Sequence, residues 1–214
     1  MEKVILFDLD GTLIDSTNAI VSTFNHTFKK RDFNFKGDDE DIKSLIGYPL
    51  DMMFKDLGVD QSHVWDFVDT YKQRYKIISK EQTKLLNYAK EAVRLASSFA
   101  RLSIVTTKTG IYSEDLLEHL ELMKYFEFVT GREHVQNPKP HPEPILKTLN
   151  RMNIINNDNV WMVGDTKLDL IAAKEAGVNS VGVLCGYGKE DTLKTYTQNI
   201  AKNSYEAVKL IKKL

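Results

Sequence analysis

Short runs of apolar, often β-branched residues recur along the chain and alternate with segments of helical periodicity. Continuous apolar runs of this length are typical of strands that are buried on both faces of a parallel sheet. The pattern therefore predicts a doubly wound α/β fold, with helices on both faces of a parallel sheet. The predicted strands are KVILF at 3–7, LSIVT at 102–106, FEFVT at 126–130, NVWMV at 159–163 and SVGVL at 180–184; the predicted helices are 84–98, 110–121, 142–152, 166–176 and 203–213.

One segment interrupts this alternation. Residues 16–79 contain no strand-like run but show helical periodicity in four stretches. A helical insertion directly after the first strand predicts a second, small all-helical domain. The predicted division is a core of residues 1–15 and 80–214 and a helical domain of residues 16–79, with two crossings that would form a hinge.

Composition and charge narrow the class of protein. The 214 residues are 42% hydrophobic and 28% charged, with a formal net charge of −1, which is ordinary for a soluble globular protein and provides no basic field for nucleic acid or anionic membranes. No stretch approaches the ~20 apolar residues of a membrane span. The single cysteine, Cys185, excludes an internal disulfide and fits a reducing compartment. We expect a cytoplasmic protein without nucleic-acid or membrane partners; monomer and homodimer both stay open.

Two pairs of carboxylates follow two of the predicted strands. Asp8 and Asp10 come after KVILF, and residues i and i+2 of an extended chain share a face. Asp165 and Asp169 come after NVWMV and are four residues apart, hence on one face of a helix. The carboxyl ends of parallel strands are where such sheets bind ligands. Four carboxylates there would repel one another unless a cation lies among them, and Mg²⁺ is the expected hard divalent ion. The alternative is that Thr166 or Asp165 simply caps the next helix, with a surface carboxylate further along it.

Two further strand ends carry groups suited to phosphate. Thr106 and Thr107 lie in SIVTTK, where hydroxyls and free backbone N–H groups can bind phosphate oxygens. Lys139 lies between two prolines in NPKPHPEP, which stiffen its loop. Beside it, His141 is a further candidate for substrate contact. Each residue alone would be read as a turn or surface residue, but their joint placement at separate strand ends favours a phosphate site.

At this point the sequence resembles a known family. FDLDGTLIDS, IVTTK, PKPHPEP and VGDTKLDLIAAKEAG are similar, in order, to the four motifs of the haloacid dehalogenase-like hydrolases. The resemblance spans most of the predicted core, and the helical insertion resembles the family's small helical cap. Within the family, the chain looks most like the phosphoglycolate phosphatase branch. The resemblance implies a Rossmann-like core and a Mg²⁺-dependent phosphatase that acts on small phosphorylated metabolites.

The resemblance also implies roles for the four carboxylates. Asp8 would be the nucleophile that takes the phosphoryl group as an aspartyl phosphate. Asp10 would act as general acid toward the leaving group and then as general base toward water. Asp8, Asp10 through its main-chain carbonyl, and Asp165 would hold Mg²⁺, and Asp169 would support these ligands.

The remaining implied roles concern substrate binding. Thr106 and Lys139 would bind the transferring phosphoryl oxygens, and Lys139 would also neutralise Asp8. Thr12 and Thr107 are further candidates for substrate contact, although family phosphatases commonly have Asn where Thr107 stands. Tyr48, in IGYPL, falls where family caps carry a specificity loop; the alternative is a plain turn between helices.

Several alternatives stay open at this stage. Phosphoglycolate is the leading substrate, with pyrophosphate, sugar phosphates and mononucleotides as competitors. A β-phosphoglucomutase-like isomerase shares the core and the cap, but that branch has His where Ile20 stands and Arg where Leu50 stands. A receiver-like phosphorylation switch or a degenerate, binding-only member is disfavoured because Asp10 and the other motif residues are intact. The presence of Asp10 also favours phosphorus over carbon as the atom attacked.

Overall fold

Eight strands form one large sheet and one small sheet in the computed structural model, which describes residues 3–214. The large sheet has six strands in the order β5–β4–β1–β6–β7–β8, and all of its neighbouring pairs are parallel. The other two strands, β2 and β3, pair separately. The bounds are β1 Lys3–Phe7, β2 Ile14–Asp15, β3 Lys84–Leu85, β4 Ala100–Val105, β5 Val129–Thr130, β6 Val160–Gly164, β7 Asn179–Val183 and β8 Ile200–Ala201.

Ten α-helices accompany these strands in the described residues. None of the helices within residues 3–214 is both long and apolar enough to cross a membrane. Two single-turn 3₁₀ helices, Met123–Tyr125 and Arg132–His134, flank β5. The helices are α1 Thr17–Lys30, α2 Asp39–Ser44, α3 Leu50–Asp56, α4 Val64–Gln82, α5 Ala89–Ser97, α6 Gly110–His119, α7 Glu143–Arg151, α8 Lys167–Glu175, α9 Glu190–Lys194 and α10 Ser204–Lys213.

The central strand β1 is buried on both faces, because its side chains alternate between two layers of helices. Val4 and Leu6 point into a cluster with apolar residues of α7 and α8. Ile5 and Phe7 are equally buried, and the Phe7 ring meets Phe126 edge to face, with centroids 6.3 Å apart. The apolar run that predicted this strand therefore reflects burial on both faces.

The strand order places a topological switch point beside β1. The chain passes from β1 outward through β4 to β5 on one side, then returns to β6 on the other side and continues to β7 and β8. At such a point the connections after adjacent strands diverge and leave a crevice at their carboxyl ends. The segments that follow β1 and β6 contain the carboxylates that the sequence singles out.

The chain divides into two compact units. One comprises the residues up to Asp15 together with Leu85–Leu214, and the other comprises Ser16–Lys84. The second unit contains α1–α4 and has an aromatic core. In that core Phe24 lies 4.5 Å from Phe54 and 5.0 Å from Tyr71, measured between ring centroids. Its Tyr71 and Tyr75 are four residues apart on α4 and stack at 5.5 Å.

The α/β fold class predicted from the sequence is confirmed, but some elements differ. FEFVT was predicted as a five-residue strand, yet β5 has two residues, because this edge strand pairs on one side only. The helix predicted from residue 84 begins at Ala89, because β3 and a left-handed residue, Tyr88 (φ 65°), come before it. The sequence pattern missed α9 and β8, which are too short to show a period. Helix α4 continues to Gln82, beyond the predicted boundary at residue 79.

Candidate active site

The carboxyl ends of β1, β4 and β6 lie side by side and hold the predicted site residues. Asp8 follows β1, and its backbone N–H donates to Val163 O of β6 at 2.9 Å. Thr106 follows β4, and Asp165 follows β6. All three are buried, with relative exposures of 4% or less. Parallel pairing thus brings together segments that are far apart in sequence.

An acidic cluster formed by Asp8, Asp165 and Asp169 occupies this edge. One carboxylate oxygen from each lies within 4.8 Å of the others, and all three side chains are buried. Lys139 Nζ lies 2.9 Å from Asp8 Oδ1 and 2.5 Å from Asp169 Oδ1, and it donates to Val105 O at 2.9 Å. Three carboxylates and one ammonium leave this cluster with a formal charge of −2.

Asp165 is held in place by two hydrogen bonds. The Thr12 hydroxyl donates to Oδ1 at 3.0 Å, and the Tyr187 backbone N–H donates to Oδ2 at 2.8 Å. Gly11 and Gly186 pass so close that a Cβ on either would overlap the Asp165 carboxylate. Glycine is needed at both positions because only a residue without a side chain permits this approach.

Asp169 both caps a helix and pairs with a cation. It is the third residue of α8, and its Oδ2 accepts hydrogen bonds from the Thr166 backbone N–H (3.0 Å) and hydroxyl (2.8 Å). Thr166 and Asp169 form a capping box at the start of α8. Because its other oxygen pairs with Lys139, Asp169 fixes the ammonium relative to the sheet edge. Thr166 is the N-cap of α8, so the cap considered as the alternative coexists with the acidic cluster.

Burial changes the protonation equilibria of the cluster. Burial raises the pKa of Asp8 to about 7, although Lys139 acts in the opposite direction. Burial, together with Asp169 and Asp8, raises the pKa of Asp165 well above its usual value. Burial disfavours the charged form of Lys139, but Asp169 and Asp8 outweigh it and raise its pKa. Ionising the cluster fully is therefore costly unless further positive charge is supplied.

The acidic cluster suits a divalent cation. Asp8 Oδ1 is buried and accepts no aligned hydrogen bond from residues 3–214; its 2.9 Å contact with Lys139 is an ion pair. The formal charge of −2 matches a divalent ion, and the donor set consists of hard carboxylate oxygens. Of the three, Asp169 has the most donors already, because one oxygen contacts Lys139 and the other accepts two hydrogen bonds from Thr166; Asp8 and Asp165 are therefore the better placed ligands.

A second ion pair lies at this sheet edge and was not predicted from the sequence. Lys108 Nζ is 3.0 Å from Asp10 Oδ2, and the two side chains are 10% and 12% exposed. The Lys108 backbone N–H donates to the Thr106 hydroxyl oxygen at 3.2 Å. Lys108 is the last residue of IVTTK, but only the fold of the turn after β4 shows that its side chain contacts Asp10.

The structure also places the four other candidate contact residues. The fully buried Thr12 hydroxyl donates to Asp165 Oδ1 at 3.0 Å. His141 Nδ1 accepts the backbone N–H of Glu143, a local bond at the start of α7. Tyr48 is half-buried between α2 and α3 in the helical unit. Thr107 directly follows Thr106 and is half-buried.

Comparison with known proteins shows the family to which this chain belongs. The family model described as haloacid dehalogenase-like hydrolase matches residues 5–183. A pyrophosphatase, PpaX, of Halalkalibacterium halodurans is 32% identical over 91% of this chain and 89% of its own. A phosphoglycolate phosphatase of Colwellia psychrerythraea is 29% identical over 91% of this chain and 90% of its own.

A solved structure extends the likeness to three dimensions. A haloacid dehalogenase-like family hydrolase, SP0104, from Streptococcus pneumoniae superposes with a TM-score of 0.86 and 27% identity, over 98% of each chain. The likeness thus covers the motif residues and the fold that places them. The chain belongs to the haloacid dehalogenase-like hydrolases and is a phosphatase of that family.

Proposed function

We propose that the protein is a Mg²⁺-dependent phosphatase that hydrolyses small phosphate monoesters through an aspartyl phosphate on Asp8. The observation that carries this proposal is the buried cluster of Asp8, Asp165 and Asp169 around Lys139, with a formal charge of −2. A nucleophilic carboxylate needs nearby positive charge, because it must approach a phosphoryl group that is itself negative. The Asp10–Lys108 pair at the same edge adds a second carboxylate that can serve as acid.

The first half of the reaction transfers the phosphoryl group to the protein. An Asp8 oxygen forms a bond to phosphorus while the bond from phosphorus to the ester oxygen breaks. Asp10, in its protonated form, donates its proton to that departing oxygen and thereby becomes a carboxylate. The alcohol is released, and Asp8 carries the phosphoryl group as a mixed anhydride.

The second half regenerates the enzyme. A water molecule attacks the phosphorus, Asp10 accepts its proton, and the bond from phosphorus to the Asp8 oxygen breaks. Asp8 is again a carboxylate, Asp10 is again protonated, and inorganic phosphate leaves. The same group thus acts as acid and then as base, so proton balance closes over one turnover.

The ion and the cationic side chains have separate tasks. Asp8, Asp165 and the main-chain carbonyl of Asp10 would hold Mg²⁺, with Asp169 in support; the bound ion would supply positive charge against which Asp8 and a phosphoryl group can meet. Lys139 neutralises Asp8, which it contacts at 2.9 Å, and offers an N–H to a phosphoryl oxygen. Thr106 binds another phosphoryl oxygen. Thr107, in the position where family phosphatases commonly have Asn, is proposed as a neighbouring contact.

Phosphoglycolate is the leading substrate of the proposal. Support comes from the Colwellia relative, a phosphoglycolate phosphatase, whereas the Halalkalibacterium relative is a pyrophosphatase and makes pyrophosphate the second candidate. We further propose that the helical unit acts as a cap that excludes water, with Tyr48 as a substrate contact. A cap of that kind limits substrates to small phosphorylated metabolites.

The test is a panel of small phosphate compounds assayed by kcat/KM with Mg²⁺ and after chelation. Phosphoglycolate and pyrophosphate are compared with p-nitrophenyl phosphate, sugar phosphates and mononucleotides. We expect activity to fall to background in excess chelator and to return with Mg²⁺ but poorly with Ca²⁺, which tolerates a looser geometry. Full activity in chelator would contradict the metal assignment, and phosphoglycolate turnover no faster than that of p-nitrophenyl phosphate would remove it as the leading substrate.

A further inference from the structure

Lys108 is a cation at the sheet edge to which the proposed reaction assigns no task. Its Nζ lies 3.0 Å from Asp10 Oδ2, and its side chain is only 10% exposed. Lys139, by contrast, is held by Asp8, Asp169 and the Val105 carbonyl. The two ammonium groups therefore serve different carboxylates: Lys139 contacts the proposed nucleophile, and Lys108 contacts the proposed acid.

The backbone around Lys108 is fixed on both sides. Its N–H donates to the Thr106 hydroxyl oxygen at 3.2 Å, and its C=O accepts the Arg132 N–H at 2.9 Å. Gly131 approaches so closely that a Cβ there would overlap the Gly110 backbone and press on the Lys108 carbonyl. Binding an anion at this position therefore requires no ordering of the backbone, and the side chain is already largely buried beside Asp10.

The start of helix α6 is fixed from the same direction. The Glu133 carboxylate accepts the backbone N–H of Gly110 at 2.8 Å and that of Ile111 at 3.3 Å. The segment from Thr106 to Ile111 is therefore attached to the turn after β5. Lys108 thus lies in a segment that hydrogen bonds hold in place, and not in a loose surface loop.

We infer that Lys108 binds a second anionic group of the substrate, close to the oxygen that leaves. This inference rests on the proposed function, in which Asp10 contacts the leaving oxygen. Because Lys108 touches Asp10, a group one or two bonds beyond that oxygen comes within reach of its ammonium. An anion in that place takes over Lys108 as partner and releases the Asp10 carboxyl group toward the leaving oxygen.

The inference defines a class of substrate. It consists of phosphate esters or anhydrides whose leaving group bears a carboxylate or another phosphate near the bridging oxygen. Phosphoglycolate and inorganic pyrophosphate both meet this description, whereas simple alkyl phosphates do not. A neutral group in the same place would leave Lys108 with Asp10 and gain no charge-assisted hydrogen bond.

The experiment compares two substrates of nearly equal shape, 2-phosphoglycolate and its neutral carboxamide, 2-phosphoglycolamide. The wild-type enzyme should prefer the carboxylate by about 10- to 100-fold in kcat/KM, the range expected for a hydrogen bond between charged groups. Lys108→Met should lose most of this preference, and Lys108→Arg, which keeps the charge, should retain most of it. Lys90→Met is the matched control, because Lys90 also pairs with a carboxylate, Glu121, at 2.9 Å.

The ratio of kcat/KM for phosphoglycolate to kcat/KM for its carboxamide distinguishes the outcomes. If Lys108→Met lowers kcat/KM equally for both substrates, the inference is wrong, because Lys108 would then act only through Asp10. A wild-type enzyme that shows no preference between the two substrates would also overturn it. If Lys108→Met fails to fold, as judged by circular dichroism, Lys108→Gln and Lys108→Arg give the same comparison. If the wild-type enzyme hydrolyses no panel compound with Mg²⁺, the proposed function fails as well. That result is distinct from an active enzyme that shows no preference for phosphoglycolate over its carboxamide.

Discussion

Asp10 is the residue that makes phosphoryl transfer to a poor leaving group feasible in the proposed reaction. Replacing it by Asn removes the proton that the departing alkoxide needs, while the side-chain volume stays the same. We expect Asp10→Asn to lower kcat for phosphoglycolate by about 10²- to 10⁴-fold and to affect p-nitrophenyl phosphate much less, because nitrophenolate leaves without protonation. Equal rates of wild type and Asp10→Asn on the alkyl ester would show that the acid is another group.

Asp8 links the charge of the site to stability. Its pKa is raised to about 7 in the folded protein by burial, against an ordinary value of 3.8. The folded state therefore binds this proton more tightly than the unfolded state, so the stabilisation is present below pH 3.8 and is lost as the pH rises through 7. The loss is on the order of a few kcal/mol, since each pKa unit corresponds to about 1.4 kcal/mol.

Urea unfolding of the chelated protein at pH 5.5 and pH 8 measures this effect. We expect lower stability at pH 8, a recovery there on adding Mg²⁺, and a flatter pH dependence in Asp8→Asn, whose side chain does not titrate. Stability of the chelated wild type that rises between pH 5.5 and pH 8 would count against the burial of an ionisable Asp8.

The sequence gives the least information about residues whose role is to contact other residues of the site. The motif carboxylates and Lys139 could be predicted, because each follows a strand end in a recognisable pattern. Lys108 could not, because its partner depends on how the turn after β4 folds back toward Asp10. The hydrogen bond from the Thr12 hydroxyl to Asp165 could not be predicted either, because the two residues are 153 positions apart. Contacts between residues distant in sequence require three-dimensional information.

At the scale of secondary structure, the start of α6 depends on a residue outside that helix. Thr109 precedes the helix without a side-chain capping bond, and Glu133 accepts the N–H groups of Gly110 and Ile111 instead. Burial alone would raise the pKa of Glu133, but the hydrogen bonds from Gly110 and Ile111 outweigh it and lower that pKa. The carboxylate thus performs the task that an N-cap residue usually performs.

Glu133→Ala removes this cap. We expect a loss of about 1 kcal/mol in the free energy of unfolding, and so a Tm lower by roughly 2–4 °C for a protein of this size. Scanning calorimetry at neutral pH measures the change, and Glu118→Ala on the same helix is the control. An unchanged Tm in Glu133→Ala would mean that the two N–H groups find equivalent partners.

Elements of regular length could be predicted better than short ones. The apolar runs of β1 and β6 and the amphipathic α7 and α10 show clear periods. The five-residue α9 and the two-residue β8 do not, because they contain too few positions to define a period. The edge strand β5 is shorter than the predicted strand at 126–130, although the hydrogen bonds to β4 begin before it: the Glu127 N–H donates to Leu102 O at 2.9 Å, and Phe128 O accepts the Ile104 N–H at 3.0 Å.

At the scale of the whole molecule, the α/β unit and the inserted helical unit have hydrophobic cores of different composition. The α/β unit buries aliphatic strands and small helix residues such as Ala172 and Ala173, whereas the helical unit of Ser16–Lys84 relies on stacked and tilted aromatic rings. Because the α/β unit carries all the motif residues, the proposed bond-forming and proton-transfer steps use residues of that unit, and the helical unit is proposed only as a cap. The sequence predicts a helical domain at residues 16–79 from the absence of strand-like runs, and the helical unit in the structure is Ser16–Lys84, with α4 continuing to Gln82.

The central claim is that Asp8 carries the phosphoryl group, and trapping that intermediate tests it most directly. The enzyme is mixed with Mg²⁺ and phosphoglycolate, quenched in acid within one turnover and reduced with borohydride, which converts an aspartyl phosphate to homoserine. We predict homoserine at position 8 by peptide mass spectrometry, dependent on Mg²⁺, and neither homoserine nor turnover in Asp8→Asn. Homoserine at another aspartate, or undiminished hydrolysis by Asp8→Asn, would contradict the account.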